Sequence, residues 1–288
     1  MFYREFVNFC QFSRNLSPVT VANYCSVLSR WSQFLGEHSL LSESVRSSDV
    51  LQFLSECLQG GAKPSSCNQY LAVLSSYYRY CVRFHHDVVR QSPCEGIQPM
   101  KTVKNLPVCI PRSILDRVAD SLSSDTFKQA RSRAIFLLLY HCGLRRAEAL
   151  GLQDSDFDFT NRVVRVLGKG AKVRIVPMSV SLVDAMQRYI SLRSVRSPYV
   201  NRTFVTMSGE PLSQSELAII VRQILAGWVS PALAHPHILR HSFATACLEG
   251  GVSIENISAL MGHSSVSTTQ RYLSISPSRL LAQIKGIF

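Results

Sequence analysis

The chain has 288 residues, 46% of them hydrophobic, and a formal net charge of +12, which is length enough for two domains and apolar material enough for real cores. No window supplies the roughly 20 apolar residues a bilayer-spanning helix needs, and no long apolar signal segment follows Met1, so a soluble, cytoplasmic protein without membrane attachment is expected. The basic excess argues for a polyanionic partner, because each Lys or Arg set against a phosphate releases condensed counterions; ribosome or membrane-surface binding would give the same excess.

The first hundred residues read as helices. Phe2, Phe6, Phe9 and Phe12 recur at helical spacing. Ser17 followed by Pro18 is an N-cap with proline at the first helical position, and Val21, Tyr24, Leu28, Trp31 and Leu35 form one apolar stripe behind it. Ser48 and Asp49 open a third helix that Gly60 and Gly61 end. A fourth starts near Pro64, with Tyr70, Leu74, Tyr77, Tyr78 and Cys81 at the spacing of a buried face and Arg79, Arg83, His85 and His86 crowding its later turns. The aromatics read as core rather than as base-stacking platforms, and the basic residues as phosphate contacts. Residues 1–92 thus look like a compact helical DNA-binding domain.

Pro93, Pro99, Pro107 and Pro111 interrupt the next stretch, which carries Lys101 and Lys104. Prolines at that density favour an extended connector, so residues 93–111 are read as a linker. The nine cysteines contain no C-x-x-C pair and sit mostly in apolar surroundings, as reduced core residues do.

The second domain, residues 112–276, opens with helices over residues 112–121 and 126–140, the latter stopped by Gly143. Arg145 and Glu148 follow at i, i+3, so a short helix would let the carboxylate steady the guanidinium or a nearby imidazole; a surface ion pair is the plain alternative. Residues 162–167 and 173–177 alternate like strands around Gly168-Lys169-Gly170-Ala171-Lys172, a hairpin with Lys169 and Lys172 at its tip and Arg174 just beyond. That tip could reach a groove or a scissile phosphate, or be a solvated turn. Helices are expected over residues 181–192, 213–226, 239–249 and 253–261. No G-x-x-x-x-G-K-[ST] phosphate loop is present, so nucleotide hydrolysis is not suggested.

His237, Arg240 and His241 fall at i, i+3 and i+4, one face of a helix. An arginine fork matches two non-bridging phosphate oxygens, and an imidazole can donate to a third or carry a proton. His237 with His241 could also be half of a zinc site, but Ile238 stands where a His-Glu-x-x-His motif has its Glu and no Cys or carboxylate cluster accompanies them. Beyond lie Gly262-His263 and, after a hydroxyl-rich turn, Tyr272. A tyrosine hydroxyl with a pKa near ~10 needs neighbouring cations or a base before it is a useful nucleophile. In the tail, residues 277–288, Leu280, Leu281, Ile284, Ile287 and Phe288 form one apolar face of a helix too short to stand alone, which must dock on protein.

Gly143-Leu144-Arg145-x-x-Glu148, Gly168-Lys169-Gly170, His237-x-x-Arg240-His241, Gly262-His263 and Tyr272 occur in the order and at roughly the separations of the tyrosine recombinases, or phage integrase family, and the chain most resembles its short Xer-like members. Each motif alone is weak; all five in register make the match specific. The resemblance implies a mainly α fold with a small β-hairpin or sheet, a two-domain C-shaped DNA clamp of a helical core-binding domain and an α+β catalytic domain. It implies site-specific DNA recombination in which Tyr272 forms a 3′-phosphotyrosyl link, Arg145 and Arg240 clamp the phosphate, Lys169 is general acid, His237 is the base-like residue, His241 and His263 contact the phosphate or the residues that hold it, and Glu148 orients Arg145 or His241. Arg79, Arg83, Lys101, Lys104, Lys172 and Arg174 are the expected further DNA contacts. No metal or cofactor is implied. The partners would be double-stranded DNA with paired half-sites, three further copies of the chain in a tetramer on two duplexes with the tail exchanged in trans, and a paralogous recombinase or accessory protein, in the cytoplasm with the nucleoid. A type IB topoisomerase and a catalytically idle DNA-binding regulator are the alternatives.

Overall fold

The structure, a computed structural model, describes residues 2–41, 44–102, 109–168, 172–194 and 201–262. Its contacts divide the chain into two compact units, Met1–Lys104 and Asn105–Phe288.

In the first unit α1 (Tyr3–Asn8) runs into one π-helical stretch, Phe9–Ser13, before α2 (Pro18–Glu37), α3 (Ser47–Gln59) and α4 (Pro64–Phe84). The wider π turn breaks the expected phenylalanine stripe: Phe6 and Cys10 are buried, whereas Phe12 is 76% exposed. Ser17 accepts the Thr20 N–H and Pro18 sits at the start of α2, as its sequence dictates. In α2 the buried face is Val27, Leu28, Trp31, Phe34 and Leu35, while Val21 and Tyr24 stay half-buried. Tyr77 and Tyr78 of α4 are buried, and Tyr78 takes the Trp31 indole N–H at 3.0 Å, so these rings are core. His85, expected on the phosphate side, is instead stacked on Phe2 at 3.7 Å with its Nε2 3.1 Å from the Glu5 carboxylate. The start of the proline-rich segment is fastened to this unit: Asn68 of α4 both accepts from the Met100 N–H and donates to its carbonyl.

In the second unit α5 (Arg112–Ser121), α6 (Phe127–Cys142) and α7 (Arg146–Gly151) precede a three-stranded antiparallel sheet, β1 (Phe157–Asp158), β2 (Val163–Leu167) and β3 (Val173–Pro177). There follow α8 (Val180–Ser194), α9 (Gln214–Leu225), α10 (Pro236–Glu249) and α11 (Ile254–Met261). β1, too short for a periodicity to reveal it, pairs Phe157 with Val164. α6 is the axis of the core, buried from Phe127 to Cys142 on nearly every face, with α8, α9 and α10 packed round it. Thr126 and Gln129 cap its start, and Gly143 ends it in the left-handed region at φ 60°. α10 begins three residues before the sequence expectation, because Pro236 fits the first helical position and His235 serves as N-cap, its Nδ1 taking the Ile238 N–H at 3.2 Å. Among the described residues no helix is long and apolar enough to cross a membrane.

Candidate active site

Three helix ends and one strand converge in the second unit. A Cβ on Gly143 would lie 2.3 Å from the Phe243 ring of α10, so the chain leaves α6 through a space only glycine fits. The turn buries Leu144 and puts Arg145 at the N-cap of α7. There the Arg145 backbone N–H donates to Glu148 Oε2 at 2.8 Å and its guanidinium to Glu148 Oε1 at 2.7 Å. Arg240, inside α10 and only 2% exposed, donates to the Gly143 carbonyl and to the Met261 carbonyl, each at 2.7 Å. Arg145 reaches the same Met261 carbonyl at 3.3 Å and the Gly262 carbonyl at 3.0 Å. The carbonyls at a helix C-terminus have no partners within the helix and lie at the negative end of its dipole. Here α11 ends on Gly262 at φ 63°, and arginines take these oxygens.

Glu148 is the one carboxylate in this group. Burial would raise its pKa, but the hydrogen bonds and charge of Arg174 and the bonds from Arg145 outweigh that and hold it below the usual range. Burial, followed by repulsion from Arg145, lowers the Arg240 pKa to about 10, with Glu148 opposing. Three guanidiniums against one carboxylate leave two positive charges at neutral pH. His237 lies at the solvent edge beside His241, their rings edge-to-face at 4.7 Å. Partial burial first, then His241 and Arg240, push the His237 pKa down, which favours a neutral imidazole able to accept a proton. His237, Arg240 and His241 open onto a cleft of about 430 Å³ whose other wall is Ile254, Ile257 and Met261 of α11.

Of the residues singled out in the sequence, Arg145, Glu148 and Arg240 come together, with His237 and His241 at their border. Lys169, His263 and Tyr272 lie outside the described residues, as do Lys104 and the tail. Gly168 and Lys172, which follow β2 and precede β3, are joined by a 2.8 Å bond from the Gly168 N–H to the Lys172 carbonyl. Of the two partners expected for Glu148, Arg145 or His241, it is Arg145 that it holds, because its two oxygens suit guanidinium donors. One expectation needs correction. Arg174, expected to face DNA with the exposed Lys172, is turned inward onto Glu148 and the Leu260 carbonyl. The signal was available: Arg174 shares strand parity with buried Val176, while Val173 and Ile175, of the opposite parity, face solvent. Arg79, Arg83 and Lys101 are exposed on the first unit, Arg83 with its guanidinium 5.3 Å from the Phe84 ring. Among the described residues no three His, Cys, Asp or Glu side chains are grouped to hold a metal ion.

The family model described as the phage integrase family matches residues 113–279, and that of the phage integrase N-terminal SAM-like domain matches residues 4–85. A tyrosine recombinase XerC of Myxococcus xanthus is 33% identical over 265 residues, covering 90% of this chain and 88% of that protein. A XerC of Chlorobaculum parvum is 31% identical over 305 residues, covering 96% and 90%. The fold is shared with the Tn1549 transposon integrase in complex with a circular intermediate DNA, at a TM-score of 0.76, 20% identity and 99% of both chains. It is also shared with the XerH site-specific recombinase bound to a palindromic difH substrate, at 0.74, 20% identity, 97% of this chain and 83% of that one.

Proposed function

The chain belongs to the phage integrase family and is a tyrosine-type site-specific recombinase, and we propose that it cuts and rejoins DNA by the following division of labour. The Tyr272 oxygen attacks a backbone phosphorus while the bond to the 5′-oxygen breaks, leaving a 3′-phosphotyrosyl diester and a free 5′-hydroxyl. Lys169 gives the leaving oxygen its proton, and the neutral His237 takes the proton from the tyrosine. Arg145 and Arg240 stabilise the charge gathered on the non-bridging oxygens, with His241 and His263 as further phosphate contacts. The phosphotyrosyl diester retains the bond energy of the broken linkage, so rejoining by another 5′-hydroxyl needs no nucleotide cofactor.

The observation that carries this reading is the concentrated charge: two guanidiniums, that of Arg240 buried and that of Arg145 partly exposed, on one helix-terminal carbonyl, two net positive charges, and a cleft edged by His237 and His241. An anion with several acceptor oxygens satisfies that arrangement. Neither a type IB topoisomerase nor an idle regulator is favoured, since the relatives are tyrosine recombinases and the arginine pair is intact.

The larger assembly belongs to the same reading. The helical unit, nominally residues 1–92, grips the duplex through Arg79, Arg83, Lys101 and Lys104, and residues 93–111 join it to the catalytic residues 112–276. Four copies hold two duplexes with paired half-sites in the cytoplasm, each tail of residues 277–288 docking on a neighbour, with room for a paralogous recombinase or accessory protein. Support comes from the net charge and from the tail's apolar stripe. The test is a nicked duplex carrying a site selected by binding, resolved on a denaturing gel. Wild type traps a covalent protein–DNA band, and Tyr272→Phe binds equally well but traps none; a band surviving in that variant moves the nucleophile elsewhere.

A further inference from the structure

Arg174 is the one guanidinium of the cluster that the proposed chemistry does not use, and it is the most completely engaged. Its Nε donates to the Leu260 carbonyl at 2.6 Å, while its two terminal nitrogens donate to Glu148 Oε1 at 3.0 Å and Oε2 at 2.8 Å. It therefore presents a full fork to the carboxylate that holds Arg145 and a third donor to the helix end that Arg145 and Arg240 also hold. Its side chain is 12% exposed and the Glu148 side chain 6%, so little water competes for these bonds.

The surroundings are shaped to this guanidinium. A Cβ on either of two glycines would meet one of its terminal nitrogens, at 3.4 Å from Gly168, as near as the Lys172 carbonyl, and at 3.0 Å from Gly262, nearer than any other atom. Gly168 precedes Lys169 in the sequence, and Gly262 ends the helix before His263. In register Arg174 pairs with Val166 of β2, on the inward face of the sheet. A single side chain thus joins the base of the lysine hairpin, the carboxylate behind Arg145, and the carboxyl end of α11.

Resting on the recombinase reading above, we propose that Arg174 is a positioning residue: it fixes Glu148, and through it Arg145, in the orientation that receives the phosphate, and it holds the hairpin strand against α11. The bidentate geometry makes the arginine specific. A lysine would keep the charge but offers a point contact where Glu148 and Leu260 together call for a planar fork with a lateral donor.

The test is single-turnover adduct formation at saturating DNA by wild type, Arg174→Lys, Arg174→Ala, Glu148→Gln and the Arg174→Lys/Glu148→Gln double variant, with half-site affinity and melting temperature measured alongside. Arg174→Lys is expected to fold and bind like wild type yet cleave roughly 10- to 100-fold more slowly, the loss found when groups that orient metal ligands are removed. The double variant should be no slower than the slower single one, because both changes break the same link. Wild-type rates in Arg174→Lys, or multiplying losses in the double variant, would overturn the proposal; the lysine variant decides the matter even where alanine unfolds the protein. Absence of an adduct in wild type would instead overturn the recombinase reading on which it rests.

Discussion

Arg145 and Arg240 donate to the same oxygen, the Met261 carbonyl, at 3.3 and 2.7 Å. Two like charges are thereby held close together; unit charges 4 Å apart repel by roughly 4 kcal/mol at an effective dielectric of about 20. Glu148 and the negative end of the α11 dipole offset part of that repulsion. What remains is a site that gains by taking up an anion.

Phosphate, or a short duplex carrying the bound site, should therefore raise the melting temperature of the protein. Ligand at about 100 times its dissociation constant adds about 2.7 kcal/mol. Arg240→Ala should lose most of that increment but keep the general stabilisation that excluded salts give any fold. Scanning calorimetry of both proteins in phosphate and in chloride at matched ionic strength measures it; equal increments would mean that the arginines do not bind the anion.

Gly143→Ala should be among the most damaging single changes. The left-handed backbone costs an L-residue roughly 1–2 kcal/mol, and forcing a methyl against Phe243 adds about 1–3 kcal/mol of overpacking. Because Arg240 is bonded to the Gly143 carbonyl, the shift is transmitted to the site. Denaturant unfolding should show the loss, and Phe243→Leu in the same chain should return part of it.

The depressed His237 pKa has a definite sign. The unfolded chain holds that proton up to the ordinary ~6.5, whereas the folded site gives it up at lower pH. The group's contribution therefore favours folding above ~6.5 and is lost as pH falls through its folded value. For catalysis, the neutral imidazole persists on mild acidification. Cleavage should hold as pH drops past ~6.5 and fall only below it, and His237→Gln should remove that acid limb while lowering the plateau. An unchanged limb in the variant would assign it to another group.

Much of this was legible in the chain. Ser17-Pro18 and Gly143 mark helix ends because capping chemistry is local, and helical spacing marks the α4 core without knowledge of its packing. The Arg145–Glu148 pair was readable from its i, i+3 spacing. The destination of Arg174 was obscured because a lysine-rich turn beside it suggested a solvent-facing basic patch, although strand parity pointed inward. Convergence of Arg145, Arg174 and Arg240 on α11 carbonyls left no trace in the sequence, since backbone oxygens carry no residue signature. The π turn after α1 was likewise hidden, because a single extra residue in a helix leaves the composition unchanged.

The division of labour between Lys169 and the arginines is tested most directly by replacing the bridging 5′-oxygen at the scissile phosphate with sulfur, which departs without needing a proton. Single-turnover cleavage by Lys169→Ala, slow on ordinary DNA, should return towards the wild-type rate on the sulfur substrate, whereas Arg240→Ala should stay slow on both, because the charge on the non-bridging oxygens is still unmet. Equal rescue of the two variants would contradict the account.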